Sequence, residues 1–278
     1  MSCPLENLLA YLSQCSGFDF PRRRHAFCRK KIDSRISALG CAGTREYHRH
    51  LTRHPKELRL LLNTLTVNVS SFFRTPLTFE YLDHKILGAV IADKQKDRSG
   101  LRIWSAGCAM GEEAYSLAIQ IREHLEKQHI EMDVRIFGTD IDSAILEQAV
   151  IGRFQFDQIK NVRHERVQRY FRKEGKEYRL DEEIKKMVDF SFYDMMDPRT
   201  HVPPESVFGD FDLVLCRNVL IYFSRENQKK ICEKLYRSIA PKGYLILGQS
   251  ETIHGQYTDR LIREIPCCQI FRKPDPHA

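Results

Sequence analysis

At 278 residues with 42% hydrophobic content, the chain is long enough to bury a full core and to hold one large domain or a large and a small one, which excludes disorder. No stretch approaches the roughly 18 apolar residues of a spanning helix, and the first dozen residues carry Glu6 and no basic run of the secretory kind, so a cytoplasmic protein without membrane insertion is expected. The net charge of +7 is uneven, since residues 1–75 hold 13 Lys/Arg against five acids, a net of +8, and the rest nets −1.

The first 65 residues contain no convincing strand. Pro21 followed by Arg22 to Leu39 reads as a helix opened by an N1 proline and closed by Gly40. Cys28, Ile32, Ile36 and Leu39 share one face of it, and Arg and Lys fill most of the remaining circumference. Such an excess reads equally as a solvated helix face or as a surface for an acidic partner, with nucleic acid, acidic protein and anionic membrane all open at this point. Leu58 to Leu65 is a leucine-rich buried helix, and Pro76 marks a turn or a new helix start.

From there the texture changes. Strands are predicted at Leu101 to Ser105, Val134 to Thr139, Val188 to Tyr193, Phe211 to Cys216 and Tyr244 to Leu247, with helices at Glu112 to Lys127, Asp142 to Val150 and Arg225 to Ala240, the last stopped by Pro241 and Gly243. Strands alternating with helices predict an α/β fold, a parallel sheet covered on both faces. Phe154 to Glu183 is too polar for that sheet, and Glu174-Gly175-Lys176 within it predicts a small hairpin insert. Nine cysteines, an odd number with no C-x-x-C pair, read as free and mostly buried thiols rather than a disulfide framework or zinc site.

In an open parallel sheet, ligands bind beyond the carboxyl ends of the strands. After the first strand comes Ser105-Ala-Gly107-Cys-Ala-Met-Gly111-Glu112-Glu113, where two glycines let the chain turn and the backbone approach a ligand. It is neither G-x-G-x-x-G nor a P-loop, and the acids at the helix start would repel a pyrophosphate while welcoming a cation or hydroxyl donor. Asp140 after the second strand suits ribose hydroxyls, and Asp194 after the third suits an adenine amino group. Glycine turn and three acids describe a nucleoside site without a phosphate pocket, which a sulfonium cofactor fits.

Four blocks then become specific: Asn68-Val-Ser-Ser-Phe-Phe-Arg74, Trp104-Ser-Ala-Gly-Cys-Ala-Met-Gly-Glu-Glu-Ala-Tyr-Ser116, Gly138-Thr-Asp-Ile-Asp142 and Cys216-Arg-Asn-Val-Leu-Ile-Tyr-Phe223. Their order and spacing resemble the signature blocks of the CheR chemotaxis receptor methyltransferases across essentially the whole chain. The resemblance implies a small all-α N-terminal domain over about 1–75. It also implies a Rossmann-like class I methyltransferase domain over 76–278 that carries a short antiparallel β insert at about 154–183. By position it implies that Asn68, Ser70 and Arg74 reach S-adenosylmethionine from the interdomain segment, that Glu112 meets the methionine amino group, and that Asp140 binds the ribose. It further implies that Asp194 and Met195 flank the adenine, that Cys216, Arg217 and Asn218 line the floor beside the Gly107 turn, and that Tyr222 sits beside the transferred methyl. The chain departs from the family in Ser70 for Thr, Ala114 for Pro, and a hairpin limited to Arg172 to Arg179. In the family, longer versions of that insert grip a receptor's C-terminal pentapeptide.

The expected activity is transfer of a methyl group to receptor glutamates, leaving S-adenosylhomocysteine, with no metal and no nucleic-acid partner, and with the choice between monomer and dimer left open. A glutamate carboxylate, with an unperturbed pKa of roughly 4.3, needs no general base at neutral pH, so catalysis should rest on positioning. Arg217 or Tyr222 would orient the acceptor, and Arg24, Lys31 and Arg35 would dock the acidic receptor surface. The competing classes are an RNA or small-molecule methyltransferase and a non-catalytic S-adenosylmethionine-binding regulator. Amine targets often come with an Asn/Asp-Pro-Pro-aromatic floor where this chain has Arg217-Asn218-Val219-Leu220, and a regulator would have lost acids that are present here.

Overall fold

Apolar residues recurring at helical spacing build the N-terminal part of the computed structural model, which describes residues 3–18, 20, 25–65, 70–206 and 208–275. Its helices are α1 (Pro4–Ser16), α2 (His25–Ala38), α3 (Thr44–Arg53) and α4 (Pro55–Leu65). Leu8 and Leu12 of α1, Ile32 of α2, Tyr47 and Leu51 of α3 and Leu61 of α4 meet in one buried cluster. The N1 role expected of Pro21 lies outside the described residues. At the other end of α2, Gly40 takes a left-handed φ of +66° and the Cys41 N–H reaches back to the Ile36 carbonyl at 3.1 Å, a closure only glycine makes cheaply. Leu39, expected on the buried face, is 41% exposed because the helix has already ended at Ala38. By density of contacts this unit comprises residues Met1–Asn68 together with Ile221–Gln228. Phe18 bridges to Phe223 with ring centroids 4.9 Å apart, and Asn227 Nδ2 donates to the Gly17 carbonyl at 2.6 Å.

The other unit, Val69–Leu220 with Lys229–Ala278, opens on α5 (Pro76–Tyr81), a π-helical turn (Leu82–Leu87) and α6 (Gly88–Lys96). The sheet and its helices follow as β1 (Leu101–Ala106), α7 (Glu112–Gln128), β2 (Val134–Asp140) and α8 (Ser143–Ile151). The insert comprises β3 (Arg153–Gln155), α9 (Phe156–Ile159), α10 (His164–Tyr170), β4 (Phe171–Glu174), β5 (Glu177–Leu180) and α11 (Glu182–Lys185). The chain then returns to the sheet with β6 (Val188–Phe192), β7 (Phe211–Cys216), α12 (Arg225–Ser238), β8 (Ile239–Leu247), β9 (Ile262–Arg263) and β10 (Ile270–Arg272).

Seven strands lie in the order β6-β2-β1-β7-β8-β10-β9, the first five parallel and β10 antiparallel to both neighbours. The order in which the chain adds parallel strands reverses between β1 and β7. Right-handed crossovers therefore put α7 and α8 on one face and α12 on the other. Every residue of β7 is buried, as a strand covered on both faces requires. This is a Rossmann-like sheet, and in such sheets ligands bind at the switch point, which here lies between β1 and β7.

Two expectations need correction. The helix predicted to Ala240 stops at Ser238, and Ile239 already pairs with Phe211 in β8. The cause is Pro241, which drives the residue before it toward extended backbone, together with Ile239's place in the core. The insert gains a third strand, β3, in the order β3-β5-β4, with Arg153 opposite Arg179. Gly175, at φ +63°, occupies the first position of the two-residue loop between Glu174 and Glu177, where a tight hairpin needs a positive φ.

Candidate active site

The turn after β1 is shaped by what glycine lacks. A Cβ on Gly107, at φ +73°, would lie 2.3 Å from Val219 Cγ2, and one on Gly111, at φ +84°, 2.6 Å from the Phe190 ring. The turn is held by backbone bonds from Gly107 and Cys108 to the Thr139 carbonyl, at 2.7 and 2.9 Å. Asp140 completes it, one carboxylate oxygen accepting from the Ala109 N–H and the other from the Asp142 N–H, both at 3.0 Å. Burial raises the Asp140 pKa against the pull of these amides.

Glu112 and Glu113 begin α7 and differ sharply. Glu112 is 1% exposed; its Oε1 accepts from Gln158 Nε2 at 2.8 Å, while its Oε2 has no partner. Burial raises its pKa, with Gln158 and the nearby Ser70 hydroxyl favouring the charged form. Glu113 is fully engaged, accepting from Ser105 Oγ at 2.8 Å and from Arg217 Nη1 at 3.1 Å.

The 72–74 segment is fastened to this centre at successive residues. Phe72 N–H donates to the Gln158 carbonyl at 2.8 Å, Phe73 N–H to Ser116 Oγ at 2.9 Å, and the Arg74 carbonyl accepts from Arg217 Nη2 at 2.7 Å. Arg217 thus spends its guanidinium on Glu113 and on backbone, with its charge 5.3 Å above the Phe79 ring and its Nε buried without a partner. This corrects the expectation that Arg217 orients an acceptor, because its side chain is 2% exposed and already paired.

Beyond β6, Asp194 accepts the Met196 N–H at 2.8 Å, Met195 is buried, and the Tyr193 N–H donates to the Asp140 carbonyl at 3.0 Å, which ties this end to that of β2. Beyond β7, Cys216 is fully buried and burial pushes its thiol well up, as it does that of Cys108. Asn218 sits at φ +62°, and its N–H donates to Glu251 Oε2 at 2.8 Å. The same oxygen accepts the Gly248 N–H at 2.7 Å. Glu251 and Gln158 are absent from the sequence-based set. Glu251 lies four residues past β8 and was findable by the same strand-end rule; Gln158 sits in the polar insert and carried no signal.

The structure therefore gathers Ser70, Arg74, Gly107, Glu112, Asp140, Asp194, Met195, Cys216, Arg217 and Asn218 at the carboxyl edge of the sheet. Asn68 and Arg24 lie outside the described residues. Tyr222 ends a short 3-10 turn and belongs to the helical unit, its ring 6.3 Å from Phe18. On α2, Lys31 is exposed, whereas Arg35 makes a two-pronged pair with Glu57 at 2.9 and 2.7 Å, and Glu57 also accepts the Tyr47 hydroxyl. Arg35 is thus a clasp between α2 and α4.

Residues 68–266 match the family profile described as CheR methyltransferase, SAM binding domain, and residues 4–66 match that of CheR methyltransferase, all-alpha domain. The chain belongs to the CheR methyltransferase family. A chemotaxis protein methyltransferase of Listeria innocua is 33% identical over 85% of this chain and 85% of its own length. Chemotaxis protein methyltransferase 2 of Vibrio cholerae is 32% identical over 87% and 83%, and the enzyme of Borreliella burgdorferi 28% over 90% and 88%. CheR membership makes this an S-adenosylmethionine-dependent methyltransferase acting in chemotaxis. The donor set fits that cosubstrate: a buried carboxylate oxygen without a donor stands where a cationic head can meet it, and carboxylates suited to hydroxyl and amino groups line the strand ends. Among the described residues no group of three or more His, Cys, Asp or Glu could hold a metal, and no helix is long and apolar enough to cross a membrane.

Proposed function

We propose that this CheR enzyme methylates glutamate side chains on the cytoplasmic domain of chemotaxis receptors, and so works in the cytoplasm. The observation that supports a carboxylate acceptor is that the site keeps no nucleophile of its own. Cys108 and Cys216 are held as neutral thiols by burial, and Arg217 is committed to Glu113, so the arrangement favours direct displacement by an acceptor already ionised at neutral pH.

When bound, S-adenosylmethionine supplies an electrophilic sulfonium methyl. Glu112 Oε2 accepts from its ammonium, with Asn68, Ser70 and Arg74 around the methionine end. Asp140 would take the ribose hydroxyls, Asp194 and Met195 would flank the adenine, and the Gly107 turn would let backbone approach. Cys216, Arg217 and Asn218 form the floor, Arg217 as a positioning residue that locks the Arg74 carbonyl. Tyr222, by its place in the motif, orients the acceptor carboxylate. Lys31 of the basic helix, with Arg24 before it in sequence, meets the acidic receptor; Arg35 supports that helix through Glu57.

Incubation with labelled S-adenosylmethionine and a receptor cytoplasmic fragment should yield a base-labile methyl ester. The single-turnover rate should stay nearly flat from neutral to mildly alkaline pH, because a group with a reference pKa of roughly 4.3 is already ionised. Tyr222→Phe should lower turnover more than cofactor affinity. A product stable to mild base, or a rate climbing tenfold per pH unit as for an amine losing its proton, would sink the carboxylate assignment.

A further inference from the structure

Cys267 and Cys268 form the turn that leads from β9 to β10, and neither enters the methyl-transfer chemistry. Their sulfurs stand 4.0 Å apart, Cys267 exposed and Cys268 buried. Arg263 clamps the turn, donating to the Pro266 carbonyl at 2.8 Å and to the Cys268 carbonyl at 3.4 Å, and so places a guanidinium beside the exposed thiol's backbone. On its inner side Cys268 Sγ lies 4.0 Å from Thr78 Oγ1. Thr78 is in the first turn of α5, the helix that begins directly after the Arg74 carbonyl held by Arg217 and that carries Phe79 beneath the Arg217 guanidinium. The same dithiol therefore has one sulfur open to solvent and one seated against the element that sets the cofactor segment.

We propose that Cys267 and Cys268 are a peroxide-responsive dithiol, and that closing their disulfide pulls Cys268 away from Thr78 and loosens the Arg74 segment. Cys267 is the sulfur a peroxide reaches: the O–O bond breaks, a sulfenic acid forms on Cys267, and water leaves. Cys268 then attacks that sulfur, the S–S bond forms, and the hydroxyl departs as a second water with the Cys268 proton. Two thiols are oxidised and one hydrogen peroxide is reduced to two waters. Adjacent residues joined by a trans peptide have Cα atoms about 3.8 Å apart, closer than the 4.4–6.8 Å at which disulfides are relaxed. A bridge here is strained, so cellular thiols reopen it, as a reversible sensor requires.

The full chain is treated with hydrogen peroxide, alkylated and analysed by peptide mass, in parallel with calorimetric titration of S-adenosylmethionine. The expected result is a peptide containing both cysteines that has lost two hydrogens and resists alkylation, a cofactor affinity at least severalfold weaker, and full recovery after dithiothreitol. Cys267→Ser, a change at an exposed position, should bind cofactor normally and be indifferent to peroxide. Phenylarsine oxide, which bridges neighbouring thiols, should weaken cofactor binding in the wild type and leave the variant unaffected. Equal peroxide sensitivity in Cys267→Ser, or a disulfide that forms without any change in affinity, would overturn the proposal. Because cofactor binding is the readout, the outcome does not depend on which acceptor the enzyme methylates.

Discussion

At the ends of β1 and β2 the buried Glu112 Oε2 has no donor, whereas at the ends of β7 and β8 the equally buried Glu251 Oε2 accepts two backbone N–H groups, from Asn218 and Gly248. Glu113, one residue from Glu112, has a donor on each carboxylate oxygen, Ser105 Oγ on one and Arg217 Nη1 on the other. An unsatisfied buried polar atom costs about 1–3 kcal/mol, which a donor on a bound ligand would recover at Glu112. The contrast separates the two rims: one is left open toward a ligand, and the other is closed so that strained backbone stays in place.

The largest effect should come from the closed rim. Arg217→Met leaves the Glu113 carboxylate buried and unpaired and frees the Arg74 carbonyl, and should cost about 3–5 kcal/mol in chemical denaturation. A loss under about 1 kcal/mol would show that the pair is no clasp. Glu251→Ala orphans two buried amides and should cost about 2–3 kcal/mol, with Asn218 leaving its φ of +62°. Unchanged stability there would erase the distinction between the rims.

The open rim should respond in binding rather than in folding. Glu112→Gln should weaken S-adenosylmethionine by about 1.5–3 kcal/mol, the worth of a charged hydrogen bond, while the free protein keeps or gains stability. The sign with pH follows from the raised Glu112 pKa. Binding a cation needs the carboxylate, so wild-type affinity should fall as pH drops through that raised value, and the variant should lack this decline. The ionised form is disfavoured by the fold, so the free protein's stability from this group is greatest below the unfolded pKa and is lost as pH rises through the folded one. An affinity unmoved by the substitution would remove Glu112 from the cofactor's head.

The smallest effect lies away from both rims. His124 Nε2 and Asp83 Oδ1 are 2.7 Å apart, with Arg166 3.7 Å from the same carboxylate and on the Phe73 ring. The Asp83 hydrogen bond raises the His124 pKa. Burial pushes Asp83 up, but His124 outweighs it and the net shift is downward. The histidine's share of stability is present below its unfolded pKa and fades as pH rises through the folded value; the aspartate's share fades as pH falls through its lowered one. His124→Gln should therefore cost about 1 kcal/mol near pH of roughly 5 and less at pH of roughly 8. A pH-independent difference in melting would show that the pair contributes only packing.

What was legible in the sequence was what local chemistry dictates. The strands of the sheet are short, mainly apolar runs, the turn after β1 announces itself by Gly107 and Gly111, and Asp140 and Asp194 stand where strands end. What was not legible depends on partners far along the chain. Arg35 could not be told from its exposed neighbours until Glu57 and Tyr47 were beside it, and Arg217 looked available until Glu113 and the Arg74 carbonyl had claimed it. Ile239 left the helix for the sheet because Phe211 was waiting for it.

The π-helical turn at Leu82–Leu87 joins α5 to α6 without a break. Such a turn, with its wider i→i+5 hydrogen bonds, holds more residues per turn than an α-helix does. Removing one residue there would restore regular winding and swing everything upstream by about 100° about the helix axis. Phe79 would leave its place under Arg217, and Gln120 Nε2 would lose the Phe79 carbonyl it now meets at 3.0 Å. In this stretch length matters more than composition: apolar exchanges should be tolerated, whereas a single codon deletion should not.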